Sequence, residues 1–414
     1  MTTDQPKIDL RRLRGLLNGI NQFGALPDGE GFDRRGYTEA DMAARRWFFD
    51  QMVADGLEVR MDAVGNVIGR YGPSEGAAVM IGSHLDTVLR GGAFDGALGV
   101  ATALETVRAL KTAGIEPQTA IEVVATAEEE GRFGGMLGAQ ALVGSVTREW
   151  MNNARDADGL ALTDVMRAQG LNPSETMRAT CPPGSVRAFL ELHIEQGPAL
   201  ESRGISVGLV EAISGVCVLQ VKMLGAANHS GTTPMHLRAD ALAGLAEVAA
   251  GITALIARVG TDQSRVTIGK LELHPNDVHT IPGRADFSVV LRDTEEAVMQ
   301  RLLSGFRDML GDAAIRHNLQ VQEEVRSWLA PVELDPALLD IMEREARVLR
   351  IPALRMPSGA GHDAQIMQRL CPAGLIFVPS KGGISHAPHE STDWEDIVVA
   401  AELFLRIVKR LTKR

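Results

Sequence analysis

The chain has 414 residues, 45% hydrophobic and 23% charged, which is ordinary globular composition and length enough for two or three domains. Forty-two Lys and Arg against 53 Asp and Glu leave a net charge of -11, which argues against nucleic acid or an anionic membrane as the main partner. Three separated cysteines, Cys181, Cys217 and Cys371, exclude a disulfide scaffold and a thiolate zinc finger and fit a reducing compartment. The opening MTTDQPKIDL lacks the basic-then-apolar signature of an export signal, so a soluble, cytoplasmic protein is expected.

The elements follow from punctuation and periodicity. Residues 38–55 read as a helix, with Thr38 as N-cap and Gly56 past its end. The apolar run 79–83 predicts a buried strand, 97–113 a helix closed by Gly114, and 119–126 a second strand. Strand, helix and strand in that order imply a βαβ unit and a mostly parallel sheet. A strand over 187–194 places His193 near its end. Next come a strand at 216–224, a helix at 239–258, strands at 266–273 and 285–291, and a helix at 295–310, the order of a small α+β layer with its own sheet. Asp240 and Glu247 mark 239–258 as an amphipathic or buried helix and not a membrane span. Residues 330–332 look like a return linker, 375–379 a late buried strand and 393–409 a terminal helix. The fold class is α/β, a larger domain (1–213 and 331–414) with a mostly parallel central sheet, interrupted by a smaller α+β domain (214–330).

Five loop-like stretches carry metal-ligand side chains, and ligands gather at the carboxyl ends of strands in such sheets. They are Gly82-Ser83-His84-Leu85-Asp86-Thr87, Gly91-Gly92-Ala93-Phe94-Asp95-Gly96, Glu128-Glu129-Glu130-Gly131, His193-Ile194-Glu195-Gln196-Gly197-Pro198 and Ser385-His386-Ala387-Pro388-His389-Glu390. Taken singly, each has a plain reading: a turn Asp, an N-cap, a solvated acidic loop, a packed His. Asp86, two residues past His84, is placed to hydrogen-bond the second imidazole nitrogen. Three consecutive acids at a strand end repel one another without a cation, and two of them have work in a metal hydrolase, as ligand and as general base. Together His, Asp, Glu, His and His form the donor set of a two-metal site, suited to zinc or manganese bridged by one Asp. Gly131, Gly134, Gly135 and Gly138 match neither GxGxxG nor a P-loop, so no nucleotide is expected.

GSHLDTV, GGAFDGALGV, EEEGRF, HIEQGP, ANHSGTTPM, SGAGHDA and KGGISHAPHE, in that order along nearly the whole chain, resemble the hydantoinase/carbamoylase family of di-metal amidohydrolases. The resemblance implies His84, Asp95, Glu130, His193 and His386 as ligands of two divalent ions per subunit (Zn or Mn), with Asp95 bridging. It implies Glu129 as general base toward a metal-bridging water, and Gln196 as a substrate contact. His229 would stabilise the tetrahedral oxyanion, in the family often from a partner subunit, so a homodimer is implied and the inserted domain becomes a lid and dimerisation domain. Arg292 would grip a substrate carboxylate by its planar fork, and Gly359 and Ala360 would line the pocket. His279 stands where the family usually has an asparagine that contacts substrate. The wider fold family often holds the peptide matching Asp95–Gly96 cis, and that is expected here. The implied reaction cleaves the C–N bond of an N-carbamoyl or ureido group on a small carboxylic acid. Alternatives are allantoate or ureidoglycolate hydrolysis, an aminoacylase-like deacylase, or a metal-free relative that only binds ureides.

Overall fold

The computed structural model describes residues 5–413. Its strands in chain order are β1 (Glu58–Met61), β2 (Val67–Tyr71), β3 (Ala78–His84), β4 (Ala120–Thr126), β5 (Val186–Ile194), β6 (Val207–Ile213), β7 (Gly215–Leu224), β8 (Arg265–His274), β9 (Arg284–Asp293), β10 (Gln320–Leu329), β11 (Val332–Glu333), β12 (Ala353–Ser358) and β13 (Ala373–Val378). The chain divides into two compact units. The larger runs through Glu211, takes in Leu334–Met356 and resumes at His362; the smaller is Ala212–Glu333 with Pro357–Gly361.

The larger unit is built on a parallel centre. β3 pairs with β4 on one side and β5 on the other, and β13 pairs with β5, all parallel. β2 adds antiparallel to β4, and β6 antiparallel to β13. Every residue of β3, β4 and β13 is buried, as expected of parallel strands covered on both faces. The crossover helix Ala97–Thr112 buries Leu98, Val100, Leu104 and Val107, and the terminal helix Trp394–Leu411 buries Ile397, Phe404 and Val408. Each such side chain contributes about 1.5–3 kcal/mol on leaving water, so this core fixes the strand ends that carry the ligand loops.

The smaller unit is an antiparallel sheet in the order β10-β7-β9-β8, backed by the helices Ala241–Val259 and Glu296–Arg316. β7 alternates buried and half-buried residues along its whole length, and Leu219, Phe287, Val289, Leu302 and Phe306 form the core. β10 was not expected. Its sequence QVQEEVRSWL hides the alternation, because an edge strand with little burial tolerates charge. The helix Ala241–Val259 is long and apolar enough to cross a membrane by length and composition. Asp240 caps it, it carries Glu247 and Arg258, and Gly244, Leu245, Val248 and Leu255 are buried in this unit.

Candidate metal centre and substrate residues

Four of the five stretches leave the carboxyl ends of the parallel strands. His84 ends β3, the acidic run follows β4, His193 is one residue short of the end of β5, and His386 lies beyond β13. Asp95 precedes the crossover helix and takes the middle of the group. Its Oδ1 is 3.4 Å from His84 Nε2 and 3.0 Å from His193 Nε2. Its Oδ2 is 3.3 Å from His386 Nε2, which is 3.3 Å from Glu130 Oε2. The sequence-expected ligands therefore meet as two groups sharing Asp95: His84 and His193 on one side, Glu130 and His386 on the other.

The ring orientations are set by the main chain. His84 Nδ1 is 3.0 Å from the Asp86 carbonyl and His193 Nδ1 is 2.9 Å from the Ile194 carbonyl. A carbonyl only accepts, so each Nδ1 carries a proton, and Nε2 of each ring, in its neutral form a lone pair, is turned inward, that of His193 lying 3.2 Å from Gly96 N. Those two Nε2 atoms lie 3.5 Å apart. Glu130 Oε1 is buried without a hydrogen-bond partner. Facing lone pairs, a shared carboxylate and an orphaned carboxylate oxygen are what divalent cations would satisfy, so the donor set fits two such ions. The electrostatics agree. Hydrogen bonds to Asp95 and Glu130 push His386 up to about 11. Burial pushes the His84 imidazole down, but Glu129, Asp95 and Asp86 outweigh it and hold it well above its ordinary value. The place calls for positive charge.

The three acids divide their work. Glu128, at φ 56°, turns back into its own loop, where Oε1 accepts from Phe133 N (2.5 Å) and Oε2 from Gly135 N (3.3 Å); burial pushes its carboxyl up to about 8. Glu129 Oε2 stands 3.6 Å from His84 Nε2, and burial holds its carboxyl well above the usual range. Glu130 faces His386. Gln196 donates to Asp95 Oδ2 (2.8 Å) and Ser385 Oγ (3.1 Å). Glu128, Gln196 and His386 (φ 54–59°) all hold left-handed backbone, a strain of about 1–3 kcal/mol each that the surrounding structure must offset.

Two expectations are corrected. The second nitrogen of His84 meets the Asp86 main-chain carbonyl; the Asp86 carboxylate lies 3.9 Å from it and accepts from Glu129 N (3.2 Å) and Glu130 N (3.1 Å) instead. Asp86 thus orients the ring with its carbonyl and the acidic loop with its carboxylate. The Asp95–Gly96 peptide is not cis; the cis bond among the described residues is His274–Pro275. The turn is made at Gly96, at φ 63°, where a Cβ would stand 2.5 Å from the His84 ring.

The remaining expected residues belong to the smaller unit. His229 is exposed, and its Nδ1 accepts from Gly231 N (3.0 Å) and Thr232 N (3.3 Å), so the neutral ring carries its proton on Nε2 as an outward donor. His279 is exposed beside it, its carbonyl accepting from Ser230 N at 2.9 Å. Arg292, near the end of β9, donates from Nη1 to the Gly359 carbonyl at 2.7 Å. Ala360 N donates to Ser358 Oγ at 3.1 Å. Two further contributors in the larger unit escaped the sequence reading. Glu390 accepts from Phe94 N (2.9 Å) and Asp95 N (3.0 Å). Arg45, fully buried, lies 2.9 Å from Asp41 and 3.7 Å from Asp86. The i,i+4 pair Asp41/Arg45 was visible in the helix. Nothing in sequence marked it as buried.

Residues 80–410 match the model of peptidase family M20/M25/M40. The chain belongs to this family. An N-carbamoyl-L-amino-acid amidohydrolase of Paenarthrobacter aurescens is 36% identical over 98% of this chain and 99% of the relative. An allantoate amidohydrolase of Escherichia coli is 37% identical over 92% and 93%. The crystal structure of a hydantoinase/carbamoylase family amidase from Burkholderia multivorans superposes with a TM-score of 0.91 at 32% identity, covering 99% of both chains. The family resemblance and the α/β fold read from sequence are both borne out. This M20/M25/M40 member is an amidohydrolase, and the family's enzymes are metallo-hydrolases.

Proposed function

We propose that this amidohydrolase cleaves the C–N bond of an N-carbamoyl or ureido group on a small carboxylic acid, using two divalent ions, zinc or manganese. The observation that carries the reading is the pair of donor groups sharing Asp95, with Glu130 Oε1 buried and unpaired. His84, His193 and Asp95 would hold one ion, and Glu130, His386 and Asp95 the other. Bound there, the ions would polarise an amide carbonyl and acidify a water.

The chain's own groups do the rest. Glu129 takes the proton of the attacking water and returns it to the leaving nitrogen, and its buried, raised carboxyl suits that exchange near neutral pH. Asp86 holds Glu129 and Glu130 by their main-chain N–H groups, so base and ligand keep one geometry. Gln196 steadies the shared carboxylate while reaching toward substrate. His229 Nε2–H donates to the developing oxyanion, and Arg292 takes the substrate carboxylate, with Gly359 and Ala360 along the pocket. His279 replaces an amide that both donates and accepts, and so tunes which ureido acid is preferred.

A homodimer accounts for the smaller unit's uncovered apolar helix. On Ala241–Val259 the residues Leu242, Ala246, Ala249, Ala250, Thr253 and Ala257 form one exposed face of small or apolar side chains, and β8 is a sheet edge. A second copy seated on that helix face would bury it.

The test is ammonia release from N-carbamoyl-L- and D-amino acids, 3-ureidopropionate, allantoate and ureidoglycolate, beside amine release from an N-acetyl amino acid, with manganese, zinc or chelator. Cation-dependent release from an N-carbamoyl-L-amino acid supports the reading. Turnover of allantoate or ureidoglycolate alone moves the protein to the second reading, which the 37% identical allantoate amidohydrolase favours. Turnover of the N-acetyl acid alone contradicts both.

A further inference from the structure

Glu390 lies four residues beyond His386 and is buried. Its Oε1 accepts from two consecutive main-chain groups, Phe94 N at 2.9 Å and Asp95 N at 3.0 Å. Its Oε2 lies 3.0 Å from Ser385 Oγ, and that hydroxyl is 3.1 Å from Asp95 Oδ2. The approach is so close that a Cβ on Gly92 would meet the Glu390 carboxyl at 2.2 Å. One carboxylate thus clasps the main chain of the Asp95 loop and, through Ser385, the loop that presents His386. With three donors around it, Glu390 is satisfied without a cation and is not itself a ligand.

The two halves of the donor set depend on it unequally. His84 and His193 are buried and held by main-chain carbonyls at Nδ1. His386 is 50% exposed, sits in left-handed backbone, and meets Asp95 at Oδ2, the oxygen that Ser385 also contacts. Ser385 has one hydroxyl proton and two carboxylates within reach, so its orientation passes the position of Glu390 on to Asp95 Oδ2.

We propose that Glu390 is a positioning residue that ties the Asp95 loop to the His386 loop and so sets the affinity of the cation on the His386 side. The proposal rests on the two-ion reading above.

The test is a manganese titration of the full chain, freed of metal by dialysis, by calorimetry, with the thermal midpoint of the metal-free protein recorded alongside. The parent is expected to bind two ions and H386A to lose the weaker one. E390A should keep the tighter ion within about threefold and bind the other roughly 10- to 100-fold more weakly, the usual cost of removing a group that orients a ligand. E390Q, whose amide oxygen accepts from the same two N–H groups, should stay within about tenfold of the parent at both ions. Should E390A fail to fold, S385A removes the hydroxyl that lies between Glu390 and Asp95 Oδ2 and accepts from Gln196, leaves the two main-chain bonds of Glu390 in place, and is expected to weaken the same ion by a smaller factor. Unchanged affinity for that ion in E390A or S385A overturns the proposal. So does equal weakening of both ions, or a lowered metal-free midpoint with unaltered manganese binding, which would make Glu390 a plain structural clasp. A parent that binds fewer than two ions overturns the two-ion reading itself, and the proposal with it.

Discussion

In the larger unit the candidate ligands His84, Asp95 and His193 are buried, with both rings held by main-chain carbonyls; in the smaller unit the candidate substrate residues stand on exposed loops and near a strand end. His84 and His193 each give Nδ1 to a carbonyl, and Asp86 and Glu390 each accept from two main-chain N–H groups. His229 and His279 are exposed; the His229 ring accepts from main-chain N–H groups of its own loop, and His279 meets Ser230 N with its carbonyl and the Asp277 carboxylate with its N–H. The difference separates two demands. An ion site must be set to within a few tenths of an ångström before anything binds. Residues that meet a substrate must let it come and go. Substitutions in the first region should therefore remove function whole, and those in the second should change which substrate is used and how well.

The largest effect is expected at the shared carboxylate. Asp95→Asn should lower kcat by about a thousandfold or more, because it weakens both ions and the several kcal/mol of carbonyl polarisation they supply. Metal analysis of the purified variant should show fewer ions per chain; parental metal content with parental rate would dissolve the contrast between the units. Glu129→Gln should cost roughly 10²–10⁴ in kcat while both ions stay bound, which separates the base from the ligands. His229→Ala should cost about 10²–10³ in kcat, the worth of one oxyanion donor. Mixed with the Glu129→Gln protein it should regain activity if His229 serves a partner subunit, and a mixture as inactive as its parts would place His229 in its own chain's site. Arg292→Lys should raise KM for carboxylate substrates by roughly 10- to 100-fold with little change in kcat, since the fork contributes about 2 kcal/mol of oriented hydrogen bonding. A methyl ester should be indifferent to that change.

How much of this was legible beforehand depended on the kind of residue. Runs such as 79–83 and 119–126 announced β3 and β4 because buried parallel strands are apolar on both faces. The ligand types were legible because His, Asp and Glu stood just past strand ends. What pins them was not. The partners of His84 and His193 at Nδ1 are carbonyls, which every residue has. Glu390 acts on main-chain N–H groups 295 and 296 residues away in sequence. β10 stayed hidden because its exposed edge position leaves no hydrophobic alternation to see, and the Asp95–Gly96 peptide expected to be cis is not, Gly96 standing in left-handed backbone.

The smallest expected effect lies away from both regions and reports the larger unit's rigidity. Burial pushes the Cys181 thiol up to about 11 and the Cys371 thiol up to about 12, from an ordinary 9.0. Native protein at pH 8 should then react with a thiol reagent about a hundredfold or more slowly than unfolded protein, and the rate should keep rising about tenfold per unit beyond pH 9. An acid whose folded pKa is raised adds stability that is full below the unfolded value and is lost as pH climbs through the folded one. Thermal midpoints should accordingly fall between pH 9 and 12, and less steeply when both thiols are replaced by alanine. Prompt labelling of Cys181 or Cys371 at pH 8 would show that this part of the larger unit opens readily.

On the proposed function, two ions held around Asp95 run hydrolysis of a ureido acid. The most direct measurement restores manganese stepwise to chelator-treated protein and follows ammonia release from the preferred ureido acid against ions bound per chain. Activity should be negligible without metal and should reach its full value only as occupancy approaches two ions per chain. Full activity in metal-free protein, or continued silence across the ureido acids with both ions bound, would contradict the account.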